Sequence, residues 1–274
     1  MITAGELARL ALGVVALLAL TGVVLRAGGV RLGAAPYTAV ARGAVQLALV
    51  GLALRGVLTH PPVVVAALVL MLTVATRTAT GRLRGLESPG RAVVASCTSG
   101  AVVTLLVVFA LGVLPLQPRY VVALGGIVIG NTMTAATLAG RRLLDGLRTR
   151  REEVEGWLAL GATSRRAVLD IARSAAAEAL IPAIDQTRTT GVVTLPGAFI
   201  GALLGGADPT QAARFQLVVL VALIAAESIV AVLLVRMLGA PERIPADPST
   251  SVPNRTDHRT ADHRTDHHHD REHR

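Results

Sequence analysis

The chain contains no lysine; all 27 of its basic residues are arginine. It therefore cannot carry the lysine that holds phosphates in a Walker A loop, and any ATP-driven work needs a partner polypeptide. Aromatic residues make up only 2% of the sequence, with a single tryptophan. Base-stacking platforms are scarce and the arginines cluster between apolar runs, so the formal charge of +9 does not point to nucleic acid. The one cysteine, Cys97, excludes an internal disulfide and a cysteine-rich metal site. Inside an apolar run, it reads as packing. What the chain has in excess is apolar length. With 52% hydrophobic residues and a mean hydropathy of +0.58, its 274 residues are too apolar for an ordinary soluble domain. They suffice for about seven crossings of roughly 20 residues each. The expected fold is an all-α, multi-pass transmembrane helical bundle in the cell (inner) membrane, with the lipid bilayer as its surroundings.

Runs of spanning length are Leu7 to Leu25, Thr38 to Leu58, Pro61 to Ala79, Ala92 to Leu114, Tyr120 to Gly140, Leu180 to Gly206 and Ala212 to Leu238. In the first, Glu6 and Arg9 stand directly against the apolar stretch Leu10 to Leu25 without a basic leader or a cleavage pattern, and it reads as a retained span. One set of alternate loops holds Arg26 and Arg31, then Arg77 to Arg91, then Arg141 through Arg173, then Arg236 and the tail. The other set holds only Arg9, Arg55, Arg119 and Arg214. Because arginine-rich short loops stay in the cytoplasm, the N-terminus is expected outside and the C-terminus inside. Residues 1–240 form the transmembrane unit. Residues 241–274, with six histidines among Asp, Thr and Arg, read as a disordered cytosolic tail. Those histidines leave loose metal binding open beside a merely solvated tail.

Between the fifth and sixth runs lies a polar, arginine-rich break, about 141–175, containing EVEGWLALGATSRRAVLDI. Val154, Trp157, Leu158 and Gly161 recur at helical spacing; Gly161 suits a helix stop, and Thr163 or Ser164 suits the cap of a following helix. The pattern predicts helix, tight turn, helix. Two readings fit it: an element that docks in a groove of a soluble ATPase with Trp157 as anchor, or an interfacial helix lying on lipid. Glu155, Gly161 six residues on and Ile171 ten beyond match the spacing of the cytosolic coupling loop of ABC-transporter permeases. This match favours docking.

Polar groups inside the spans are the other candidates. Arg42 and Gln46 share a face of the second span, Asp185 and Arg188 begin the sixth, and Glu227 lies in the seventh. Charges at membrane depth face a bundle interior, a cavity or one another, so these residues either line a path or pair to fix packing, Arg42 with Glu227 or Asp185, while Glu178, Asp185 and Arg188 also fit a place at the cytosolic interface. The fifth span carries Asn131 and Met133 beside several glycines, either a ligand cluster or a polar packing seam. Pro196, Gly197 and neighbouring glycines argue that the sixth segment is a broken helix lining the path or an external connector.

In this order, GNTMTAATLAGRRL, EVEGWLALGATSRRAV, ALIPAID and GVVTLPGAFIGALLGGADPTQAARFQLVV resemble the FetB-type permeases, the bacterial iron-export ABC permeases with their plant aluminium-tolerance relative. The resemblance covers Thr38 to Leu238. It implies a transport subunit that is not itself an enzyme and holds no cofactor. ATP and Mg would be bound by a separate ABC ATPase subunit, the permease would be a homodimer, and the exported substrate would be linked to iron or metal homeostasis. Where family members carry methionines, this chain has Thr187, Ala198 and Phe199. Those departures motivate an alternative, a permease for an organic solute such as a sugar nucleotide or amino acid. A second alternative is an ATPase-independent membrane scaffold.

Overall fold

The computed structural model describes residues 4–57 and 61–240. The tail read as disordered, with its six histidines, lies outside the described residues. Ten helices follow one another: α1 (Ala4–Ala27), α2 (Ala35–Val57), α3 (Pro61–Arg82), α4 (Pro89–Ala110), α5 (Pro118–Thr149), α6 (Arg151–Ala159), α7 (Ser164–Ala167), α8 (Leu169–Thr189), α9 (Gly197–Leu204) and α10 (Pro209–Leu238). Among the described residues five are long and apolar enough to cross a membrane: α1, α3, α4, α5 and α10. The second and sixth expected spans, α2 and the α8–α9 segment, are not among those five. The chain is a multi-pass helical membrane protein.

Helices α3, α4, α5, α8 and α10 pack together, with α5 and α10 touching the most neighbours. Small residues permit this closeness. A Cβ on Gly100 of α4 would lie 2.8 Å from the Ala226 carbonyl oxygen of α10, and one on Gly140 of α5 would lie 2.5 Å from Leu83. Without hydrophobic drive between helices in lipid, such backbone approach is what dispersion and packing can use. Buried side chains form two clusters. One gathers Leu124, Val128, Val219 and Leu223; the other gathers Leu83, Leu143, Leu147, Val168, Ile171 and Leu234. The buried Thr76, Thr132 and Thr137 satisfy their hydroxyls on their own helix, Thr132 by donating to the Ile129 carbonyl at 2.8 Å, whereas the Thr104 hydroxyl has no partner among the described residues. Cys97 is fully buried beside Thr132, as a packing residue should be.

Helices α1 and α2 stand apart from this bundle. Tyr37 of α2 rests its hydroxyl on Gly22 of α1, while Leu10, Leu12, Leu17, Leu47 and Leu49 are exposed. A membrane helix needs no partner for such a face, because lipid tails are as apolar as leucine.

At 32 residues α5 is about 48 Å long, against a hydrocarbon layer of roughly 30 Å. It therefore extends well past the bilayer, and the expected loop over 141–175 narrows. Residues 141–149 continue α5, 169–175 open α8, and the hairpin proper is α6, a turn and α7.

Candidate functional site

The hairpin is built from local signals. Glu152 and Glu153 occupy the first turn of α6, where the helix dipole favours negative charge. Arg150 donates to both Glu153 carboxylate oxygens at 2.7 Å, and this holds the Glu153 carboxyl below the usual carboxylate range. Arg151 donates to Glu155 at 2.7 Å, so Glu155 lies on the exposed side, paired within its own helix.

Gly161 ends α6 with φ at +87°, a region that an L side chain adopts only with strain. Its amide donates to the Leu158 carbonyl and the Ala162 amide to that of Trp157, the paired bonds of a Schellman turn. Thr163 then caps α7, accepting from the Arg166 amide. Val154, the one buried residue of α6, joins Leu147, Val168 and Ile171 in the core. Trp157 remains 46% exposed and Leu160 82%. The element is a short, pinned helix that presents aromatic and aliphatic surface away from the bundle.

Ile171 does not share that surface. It is 3% exposed and lies on Gly146 of α5, where a Cβ would come within 2.6 Å of its Cγ2. Of the three residues at coupling-loop spacing, Glu155 faces outward, as does the proposed anchor Trp157, while Gly161 makes the turn and Ile171 roots the hairpin on the long helix.

The path candidates separate. Arg42 and Gln46 are exposed on α2, away from the bundle core. Asp185 lies 3.7 Å from Arg188, both well exposed. The expected pairing of Arg42 with Glu227 or Asp185 is not formed, because α2 stays outside the bundle while Glu227 is buried within it. Glu227 makes no hydrogen bond or ion pair with any described residue. Asn131 is half-buried and donates to the Ile127 carbonyl of its own helix at 2.8 Å, while Met133 packs against both core clusters.

The sixth segment is broken, as its glycines and proline predict. α8 ends at Thr189, the chain turns through Gly191 at φ +87°, and Pro196 begins the short α9, with Gly197 as its first residue. A cavity of about 490 Å3 lies at this break, lined by Thr187, Pro196, Phe199 and Leu220 among others. Gln216 of α10, which sequence reasoning missed, lines it too. It is 5% exposed and its Oε1 has no hydrogen-bond partner. The signal was available: one amide inside a mostly apolar run that also holds Arg214 and Glu227. Gln216 and Glu227 are eleven residues apart, about three helical turns, so they share a face of α10 roughly 16 Å from one another. Among the described residues no three His, Cys, Asp or Glu side chains group as a metal site would require.

The profile of the Uncharacterised protein family (UPF0014) matches residues 8–241. The chain is 35% identical to the "UPF0014 membrane protein STAR2" of Oryza sativa subsp. japonica over 197 residues, 71% of this chain and 69% of the relative. It is 32% identical to "Protein ALUMINUM SENSITIVE 3" of Arabidopsis thaliana over 192 residues, 69% and 70% of the two chains. It is 33% identical to the "Probable iron export permease protein FetB" of Escherichia coli (strain K12) over 132 residues, 48% and 51% of the two. No solved structure matches the chain.

Proposed function

Because the chain belongs to the UPF0014 family of membrane proteins, whose relatives include one named an iron export permease, we propose that it is the membrane subunit of an ABC exporter linked to metal homeostasis. A separate ATPase drives it, and two copies form the transport unit. The observation that carries this reading is the α6–α7 hairpin. It is pinned by its turn and cap hydrogen bonds, it stands at the end of an over-long helix, and it presents Trp157 and Leu160 outward while Ile171 anchors it inward. Such a body can sit in a groove of the ATPase and move as one piece when that protein closes. The arginine distribution supports a cytosolic hairpin and seven crossings, with α2 and α8–α9 as the second and sixth. The absence of lysine supports the division of labour, since the chain has no Walker A loop of its own.

A pulldown with the genomically neighbouring ATPase, comparing the parent with Gly161→Asp, tests this. Loss of binding and of ATPase stimulation is expected; indifference in both would count against the proposal.

One observation favours a second reading of the cargo. The cavity at the helix break holds the Gln216 amide, two threonines and apolar side chains, with no sulfur and no carboxylate among its lining residues. That donor set suits an organic solute better than a soft metal ion. Metal content unchanged in a deletion strain would support it.

A further inference from the structure

Three guanidinium groups from three separate elements converge on one cavity at the hairpin end of the bundle. Arg165 of α7, Arg173 of α8 and Arg236 of α10 line a space of about 410 Å3 with Leu169, Ala172 and Val232. One carboxylate answers them: Asp170 lies 3.6 Å from Arg173, with both side chains about three-quarters exposed. Arg165 and Arg236 form no ion pair with any described residue. The concavity is therefore cationic at its rim and apolar within. Leu169 of α8 and Val232 of α10 are 40% and 41% exposed, so the lining holds open apolar surface beside the arginines.

We propose that this cavity binds the headgroup phosphate of an anionic membrane lipid, with the acyl region lying along Leu169 and Val232. Guanidinium groups match phosphate oxygens in charge and in planar, paired donor geometry. A free phosphate would account for the arginines alone. It would leave unexplained the exposed apolar side chains beside them on a helix long and apolar enough to cross a membrane, in whose last turn Arg236 lies. A lipid held there ties Arg165 of the hairpin to Arg236 of α10, so the charge of the bilayer bears directly on how firmly the hairpin is seated. This inference goes beyond the transport reading and does not rest on it, because lipid binding is measured on the chain alone.

The test titrates phosphatidylglycerol and phosphatidylcholine into the full-length chain in neutral detergent micelles, reading bound lipid by native mass spectrometry. Removing the three charges (Arg165→Gln, Arg173→Gln, Arg236→Gln) should weaken phosphatidylglycerol binding by about a hundredfold, at roughly fivefold per arginine, and leave phosphatidylcholine unchanged. A control with Arg84→Gln, Arg91→Gln and Arg141→Gln removes equal charge from exposed positions outside the cavity and should stay within about twofold of the parent. Should the cavity triple fail to fold, Arg236→Gln alone carries the test, with a loss of about fivefold. Equal losses in the cavity and control variants would overturn the proposal, reducing it to general surface charge. Displacement of the lipid by low-millimolar inorganic phosphate would overturn it as well, in favour of a free-anion site.

Discussion

Ile171 of α8 lies on Gly146 of α5 with no room for a side chain between them; a Cβ on Gly146 would stand 2.6 Å from the Ile171 Cγ2. This contact joins the start of α8 to the projecting end of α5 and so fixes the two ends between which the hairpin runs. Gly146→Ala forces Ile171 aside and should cost about 1–3 kcal/mol, the usual range for overpacking a tight contact. Ile171→Ala leaves room for the new methyl. The double variant should therefore be more stable than the sum of the two single losses, measured by thermal unfolding in detergent.

Replacing Gly161 by alanine places an L side chain at φ +87°. The turn should weaken by about 1 kcal/mol, which is roughly a fivefold rise in local opening. Hydrogen exchange of the Ala162 amide, which donates to Trp157, should quicken by that factor. The melting temperature should hold, because nothing in the core touches Gly161.

Glu153 gives the hairpin a pH dependence. Its carboxyl is held below the ordinary range by the two hydrogen bonds from Arg150. A depressed folded-state value means that the contribution is complete above the unfolded value of about 4.3 and is lost as pH falls through the lower folded one. An NMR titration of the Glu153 side chain should show a midpoint below the ordinary value, and Arg150→Ala should move it upward.

Trp157→Ala should leave folding alone, since the side chain is half-exposed. It should weaken binding of the partner ATPase by about 2 kcal/mol, roughly thirtyfold, as removal of an aromatic anchor does. Titration calorimetry with the purified ATPase reads this directly. Unchanged affinity would move the indole to the lipid surface.

Glu227 is buried and makes no polar contact with any described residue. A side chain placed there for packing would be better apolar, so Glu227→Leu should keep or raise the melting temperature. The same change should abolish cargo-stimulated ATPase turnover if the carboxylate serves transport. A lowered melting temperature would make Glu227 a structural residue instead.

The parts of this protein that were legible in its sequence are those set by neighbours along the chain. Gly161 and Thr163 punctuate the hairpin through bonds made within a few residues, and Pro196 with the glycines around it breaks the sixth segment for equally local reasons. Long apolar runs announce, for the same cause, the five helices long and apolar enough to cross a membrane. Contacts between distant residues were not legible. Nothing local to Ile171 shows that it meets Gly146 and not a partner protein, and nothing in α2 shows that it stays out of the bundle, leaving Arg42 far from Glu227. Gln216 stood in plain sight, but only the break between α8 and α9 supplies the cavity that makes its unbonded oxygen meaningful.

The central claim is that the α6–α7 hairpin seats in a separate ATPase. Leu160 is its most exposed apolar residue, at 82%, and the buried Cys97 can be replaced by serine to leave a single thiol. With Leu160→Cys in that background, a short bifunctional reagent added to membranes containing the neighbouring ATPase should join the two proteins, in a yield that changes when ATP is added. No cross-link in either state, with the position 160 thiol reacting instead from the extracellular face, would contradict the account.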